Sequence, residues 1–425
     1  MSEKRPETED SSDSFIGKTI FNKYLLMEKI GEGAFGFVYK AKSINSNKLY
    51  AVKFENITEG QFILEEEALF LSYLNCNRIP KVKSFGYSDQ YIVLVMELLG
   101  KSLDIILNEL PTKKMSVRCI CNIAIQLISI FEIIHSNHIV HRDIKPSNIA
   151  IGLGNNCKYI YVFDFGLSKK YRSSTTKKHI PFTQDNILIG NARYSSINAL
   201  EGGTQSRRDD LESIGYLLIY LLLGTLPWEG KVSHSKEDKF YKIREIKKNT
   251  TPEELCQGLP KEFEEYIKYT RNLEYESEPD YDYLKDLFSS VLKKGEYDFD
   301  YYYDWDNITF QGNDNSLLNN IYMNNYITIH KMYSKILELE KERKVYGGFE
   351  LERFVFNIEE ESNFNILKRK SEKDNMNDIE TTRDIYSYSN SMTPYAYPQK
   401  KVKNEACFPC QTREYREEDE CCKIW

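Results

Sequence analysis

The sequence predicts an α+β chain of two lobes, a small strand-rich one followed by a larger, mainly helical one, with a polar tail behind them. Three observations lead there. From Tyr24 to about Gly86, apolar residues come in short runs of strand type, and a single helical stretch lies between Gln61 and Leu74, where Phe62, Leu69 and Tyr73 recur at helical spacing. A strand at Tyr91 to Met96 closes this part. From Leu103 to about Tyr283 helical periodicity takes over, with Ile120, Ile123, Ala124, Leu127 and Ile130 on one face. After Trp305 the composition turns to Asn, Glu, Lys, Tyr and Ser. The boundaries follow: a disordered lead-in at 1–19, a folded unit at 20–308 with its lobes meeting near residue 98, and a tail at 309–425. Within the tail, Leu318, Ile321, Tyr322, Ile329, Tyr333, Ile336 and Leu337 predict an amphipathic helix over 315–345.

Composition narrows the classes of function. The chain has 425 residues, 41% hydrophobic and 28% charged, enough to bury a sizeable core. With 57 Lys and Arg against 64 Asp and Glu, the net charge of −7 counts against nucleic acid as the main ligand. The N-terminus lacks the apolar run of a signal peptide. Ile214 to Leu223, the most apolar window, is about half the ~20 residues needed to cross a bilayer, so a buried core helix is expected there. Of nine cysteines, five are scattered singly, which fits a reducing compartment, and four fall in the last nineteen residues.

Four short motifs carry the chemistry. Gly31-Glu-Gly33-Ala-Phe-Gly36-Phe-Val38 has glycines followed by a strand-forming stretch, the pattern of a hairpin whose backbone closes over phosphates. A dinucleotide fold would place a helix there instead. Lys53, fifteen residues beyond Val38, lies inside an apolar strand segment and needs anionic partners. A phosphate pair and one of Glu65, Glu66 and Glu67 would serve. In His141-Arg142-Asp143-Ile-Lys145-Pro-Ser-Asn148, Asp143 can orient a substrate hydroxyl and accept its proton late, Lys145 can offset charge on a moving phosphoryl group, and Asn148 can hold a metal ion. Asp164-Phe-Gly166 follows the apolar strand Tyr159 to Phe163 and puts a carboxylate where Mg²⁺ could bind. His135, His138 and His141 lie close in sequence but lack a second ligand group, and a zinc site there is not expected.

These motifs, in this order and spacing, resemble the eukaryotic protein kinases over residues 20–308. Met96-Glu-Leu-Leu-Gly100, Gln205 to Glu212, Gly224-Thr-Leu-Pro-Trp228, Pro279 to Leu284 and above all Ser196-Ile197-Asn198, where most kinases have Ala-Pro-Glu, are similar to the casein kinase I family. The resemblance implies a bilobal protein kinase fold and a serine/threonine kinase using ATP and Mg²⁺. It implies further that Lys53 and Glu66 form the lobe-bridging ion pair, that Asp143 is the catalytic aspartate, and that Asn148 and Asp164 hold Mg²⁺. ATP would be received by Ile30, Gly31, Gly33, Gly36, Val38 and Lys53, with Met96 at the back of the adenine pocket and Glu97 to Leu99 as hinge. Asp210 would brace the catalytic loop. A catalytically weak pseudokinase acting as a scaffold is the alternative.

Between Asp164 and Arg208 there are eight Lys and Arg against three Asp and Glu, a basic segment in an acidic chain. Such a segment beside a phosphoryl-transfer site favours acidic or phosphorylated protein substrates. The family resemblance places an anion pocket at Arg193, Gly230 and Lys239, although Asn186 and Asn191 replace residues common in the family, and Glu237 and Asp238 precede Lys239. Two readings of the tail cysteines stay open. Cys407, Cys410, Cys421 and Cys422 could hold zinc. The pair Cys421 and Cys422 could instead be acylated, with Lys400, Lys401 and Lys403 adding attraction to anionic lipid and the acidic run Glu417 to Glu420 opposing it. A monomeric, cytoplasmic protein with peripheral membrane attachment is expected, and Lys368 to Lys370 is a weak basic fragment of nuclear-address type.

Overall fold

The computed structural model describes residues 15–33, 36–57, 62–173, 175–184, 188–230, 236–306 and 355–357. The tail helix expected at 315–345, Asn186, the tail cysteines including Cys421 and Cys422, and most of the lead-in lie outside them. The strands are β1 (Thr19–Ile20), β2 (Tyr24–Gly33), β3 (Gly36–Ser43), β4 (Leu49–Asn56), β5 (Val82–Ser88), β6 (Tyr91–Glu97), β7 (Ile139–Val140), β8 (Ile149–Ile151), β9 (Ile160–Val162), β10 (Lys169–Lys170) and β11 (Val355–Asn357). The helices are α1 (Ile63–Tyr73), α2 (Leu103–Glu109), α3 (Val117–Ser136), α4 (Ile197–Leu200), α5 (Arg207–Leu223), α6 (Lys236–Asn249), α7 (Pro252–Leu255), α8 (Lys261–Asn272) and α9 (Tyr281–Lys294).

The N-terminal sheet runs β1-β2-β3-β4-β6-β5-β11. Alternation along its strands buries Tyr24, Leu26, Tyr39, Ala41, Tyr50, Val52 and Phe54 in one cluster. Phe15 packs against the rings of Phe37, Phe54 and Tyr91. The folded unit therefore starts ahead of residue 20, because a ring that fills the aromatic cluster cannot belong to a disordered lead-in. The opposite edge, β5, pairs antiparallel with β11, with Phe356 opposite Phe85.

α1 packs on this sheet through Leu64, Ala68 and Leu71, spaced for one helical face. Its first amides, turned into the sheet, would otherwise be unsatisfied. Buried Glu55 of β4 accepts from the N–H groups of Ile63 at 3.0 Å and Leu64 at 2.5 Å, and so caps the helix.

In the helical part, α3 and α5 form the centre. α3 is long and apolar enough to cross a membrane by length and composition, but here most of its apolar residues are packed inside the protein. The apolar window at Ile214 to Leu223 is the buried second half of α5, which starts with a capping box at Ser206 and Asp209 and ends at Gly224, φ +74°. Beyond α9 the chain continues to pack. Tyr303 and Trp305 are buried and stacked at 4.5 Å, Tyr303 donates its hydroxyl to the Lys158 carbonyl at 2.8 Å, and Asp304 accepts from the Ser116 N–H and hydroxyl at 2.5 and 2.7 Å. Asp304 thereby supports the N-cap of α3.

Candidate active site

Two short antiparallel pairs set out the site. β7 pairs with β10, and β8 with β9, so the loop 141–148 leaves one pair and enters the other while Asp164 follows the end of β9. The loop is held from beneath by one carboxylate. Asp210, buried near the start of α5, accepts from the N–H of His141 at 2.7 Å and of Arg142 at 2.9 Å, and its Oδ2 lies 2.9 Å from His135 Nε2. Burial works against the Asp210 charge, but the His135 hydrogen bond and the donors around it hold the carboxyl below its usual range. Burial likewise pulls the His135 pKa down, so His135 is neutral, donates from Nε2 to Asp210 and accepts the Tyr281 hydroxyl, 2.7 Å from Nδ1.

His141 works the same way along the loop. Its Nδ1 accepts the Asp143 N–H at 3.3 Å, which leaves Nε2 to donate to the Phe163 carbonyl at 3.2 Å and ties the loop to the segment carrying Asp164. Arg142 and Asp164 both adopt left-handed backbone, φ +68° and +65°, a conformation that side-chain-bearing residues adopt at a cost. The anchors just described hold them there.

Asp143 Oδ2 lies 2.8 Å from Lys145 Nζ and accepts the Asn148 amide N–H at 2.9 Å. The three residues named for this loop thus sit together on one carboxylate. Asp164 Oδ1 lies 2.8 Å from Lys53 Nζ. Burial opposes ionisation of Asp164, yet Lys53 and Lys145 hold its carboxyl below the ordinary range.

The second partner of Lys53 corrects the sequence expectation. Lys53 Nζ is 2.6 Å from Glu67 Oε2, whereas Glu66 is exposed. The reason is helical phase: Glu67 falls within about 60° of both Leu64 and Leu71 on the face that packs inward, and Glu66 points about 200° away from Leu64 at 100° per residue. That signal was available in the sequence. Glu65, also buried, is engaged elsewhere, accepting the Tyr87 hydroxyl at 2.6 Å. Burial penalises the Lys53 charge, but Glu67 and Asp164 together hold the ammonium's pKa above its usual value.

The glycines form the turn between β2 and β3, with Gly33 opposite Gly36 and Gly31 opposite Val38. A Cβ on Gly36, φ +141°, would lie 1.8 Å from the Phe54 carbonyl oxygen, while one on Gly33 would meet nothing within 4 Å. Val38 pairs across to Lys53, and Ile30 is exposed on the same hairpin. Met96 is buried, opposite Ala51 and Val82. Glu97 follows, its N–H on the Lys81 carbonyl at 2.9 Å and its carboxyl pushed up by burial. The half-buried Leu98 and Leu99 lead to Gly100, whose N–H donates to Ile151 at 2.8 Å and so joins this crossing segment to β8.

A family model for the protein kinase domain matches residues 24–297. The chain belongs to the protein kinase family. Membership implies ATP as the phosphoryl donor, typically with Mg²⁺. The donor set of this kinase suits such an ion: Asp164 and Asn148 offer hard oxygen ligands, and among the described residues no cluster of three or more His, Cys, Asp or Glu could hold a metal by itself. Two protein oxygens would leave the remaining positions of such an ion to substrate phosphates and water.

On the substrate side, Arg193 lies half-exposed and forms an ion pair with Glu229. Gly230 adopts φ +68°, and Lys239 is exposed on α6. The Ser196-Ile197-Asn198 segment is tied to α5, since Ser196 Oγ donates to Asp209 at 2.6 Å and Asn198 Nδ2 at 3.1 Å.

Proposed function

We propose that this kinase transfers the γ-phosphoryl group of ATP to Ser or Thr hydroxyls of acidic or phosphorylated proteins, as a kinase of casein kinase I type. The observation that carries the reading is the grouping of Asp143, Lys145 and Asn148 on one hydrogen-bonded loop, with Lys53, Glu67 and Asp164 forming a second ion cluster.

Asp143 orients the substrate hydroxyl and takes its proton as the hydroxyl oxygen bonds to phosphorus and the bond to the ADP oxygen breaks. Lys145, already at Asp143, offsets charge on the phosphoryl oxygens. Lys53, positioned by Glu67, holds the α- and β-phosphates under the Gly31 to Gly36 turn. Asp164 and Asn148 would hold Mg²⁺, which when bound would offset the phosphate charge of ATP. The acidic preference rests on the surplus of Lys and Arg between Asp164 and Arg208 and on Arg193, Gly230 and Lys239. The serine/threonine and casein kinase I assignment is supported by Ser196-Ile197-Asn198 and its attachment to Asp209.

A radiolabel transfer assay on casein and on an acidic serine peptide tests the reading, with Asp143→Asn as control. Label incorporation that Asp143→Asn abolishes supports it; absence of Asp143-dependent transfer sinks it in favour of a scaffold. We also propose that the protein works in the cytoplasm as a monomer and is tethered at membranes by acylation of Cys421 and Cys422, supported by the upstream Lys400, Lys401 and Lys403 and opposed by the acidic run Glu417 to Glu420. Unchanged membrane fractionation after Cys421→Ser with Cys422→Ser would rule out the tether.

A further inference from the structure

Lys247, near the end of α6, is fully buried. Burial pulls the Lys247 pKa well down while the buried Glu212 carboxylate nearby favours its charge, and its described hydrogen-bond acceptors come from one turn of chain, with two rings facing it. Nζ donates to the carbonyls of Ala192 at 3.0 Å and Ser195 at 2.6 Å, and it lies over the rings of Tyr216 at 4.6 Å and Trp228 at 4.7 Å. Trp228 completes the set, its Nε1–H donating to the Arg193 carbonyl at 2.8 Å. Carbonyls 192, 193 and 195 are thus fixed by two side chains from below. The same turn is closed from within: Asn191 Oδ1 accepts the Arg193 N–H at 3.0 Å and the Asn191 carbonyl accepts from Tyr194 and Ser195.

The residue at the centre of this turn is Arg193, and the helix that carries Lys247 also carries Lys239 about two turns earlier. One buried ammonium therefore joins the main chain beneath the first of these cations to the element bearing the second. Nothing in the phosphoryl-transfer chemistry uses Lys247, and a core position could be filled by a long apolar residue at far lower desolvation cost.

We propose that Lys247 is a positioning residue for substrate recognition: it clamps the Arg193 turn to α6 and so sets the enzyme's preference for a negatively charged group near the target hydroxyl. The inference rests on the acidic-substrate reading above and deepens it. Without the clamp the turn and α6 move independently, and the two cations no longer face one anion together. The Asp143 loop, anchored through Asp210, and the ATP-side residues Lys53 and Glu67 are untouched.

The test uses the full chain and two serine peptides that differ only in carrying phosphoserine or alanine on the N-terminal side of the target. Lys247→Met keeps the length and removes the donors; Trp228→Phe keeps a ring and removes the donor to Arg193 alone. Expected for Lys247→Met is a rise of about 10-fold in KM for the phosphopeptide, with KM for the alanine peptide, kcat and KM for ATP each within about twofold. Trp228→Phe shifts the same KM in the same direction by less, and it carries the test if Lys247→Met does not fold, as judged by Tm. Equal changes on both peptides, or undiminished preference in the folded variants, overturn the inference alone. A wild-type enzyme that treats both peptides alike overturns the acidic-substrate reading and the inference with it.

Discussion

Lys53 Nζ sits between two carboxylates, 2.6 Å from Glu67 and 2.8 Å from Asp164. Glu67 comes from α1 and Asp164 from the segment after β9, so one ammonium sets the helix in register with the residue proposed to hold Mg²⁺. Lys53→Met is expected to lower kcat by about 10²–10³. Glu67→Gln, which keeps the shape but loses the charge, should cost about tenfold, whereas Glu66→Gln should stay within about twofold because its side chain is exposed. Steady-state kinetics on the three variants check the assignment; a large loss in Glu66→Gln would contradict it.

Asp210 makes a separate prediction about stability. It accepts two loop N–H groups and the His135 ring, so Asp210→Asn replaces one acceptor by a donor facing buried N–H groups. A loss of about 3 kcal/mol in urea unfolding is expected, together with a fall in kcat, since the loop is no longer fixed.

The same pair gives a pH dependence. His135 has a folded-state pKa below its ordinary value of 6.5, so protons bind the unfolded chain more readily. The stability involved is fully present above about pH 6.5 and is lost as pH falls through the lower folded value. Asp210, also depressed, contributes stability that is constant across this window and is lost only below the carboxylate range. Urea midpoints between pH 8 and 5 should fall in the wild type and flatten in His135→Gln.

The two glycines facing each other in the β2–β3 turn should respond differently to alanine. At Gly36 a methyl group runs into the Phe54 carbonyl and the backbone is left-handed, so Gly36→Ala should lower Tm by several degrees, a cost of about 1–3 kcal/mol. At Gly33 the space is open. Gly33→Ala should fold normally and raise KM for ATP if, as proposed, the hairpin backbone closes over the phosphates at this turn. An unchanged KM would show that phosphate does not approach Gly33.

Arg193→Ala with Lys239→Ala tests the anion pocket directly. Phosphorylation of primed peptides should slow by about tenfold while simple acidic peptides are spared. Equal loss on both would argue for diffuse attraction by the basic segment.

Much of this arrangement was legible in the sequence because it depends on local spacing. The glycine pattern, Lys53 in its strand, the loop from His141 to Asn148 and Asp164 after an apolar strand all announce themselves within a few residues. The Lys53 partner was missed because three consecutive glutamates are equivalent by composition and only the phase of α1 separates them. Phe15 was missed because a single ring among polar residues gives no periodic signal, and its partners come from β3, β4 and β6. Asp210 is legible as a brace of the loop only through the family resemblance, and His135 and Lys247 were missed because they make their contacts with chain segments far away in sequence. A buried lysine cannot be told from an exposed one by its neighbours, and α6 has enough charge to read as a solvated helix.

The family match ends at residue 297, but the packing does not. Tyr303, Asp304 and Trp305 close the N-terminal end of α3 and the Lys158 turn, so truncation at 297 exposes a hydrophobic scar and removes the carboxylate that holds the Ser116 cap of the central helix, whereas a cut after 306 leaves both intact. The helical part is therefore closed by an aromatic seal fixed beside Ser116, and the chain beyond it returns to the N-terminal sheet through β11 at the edge of β5.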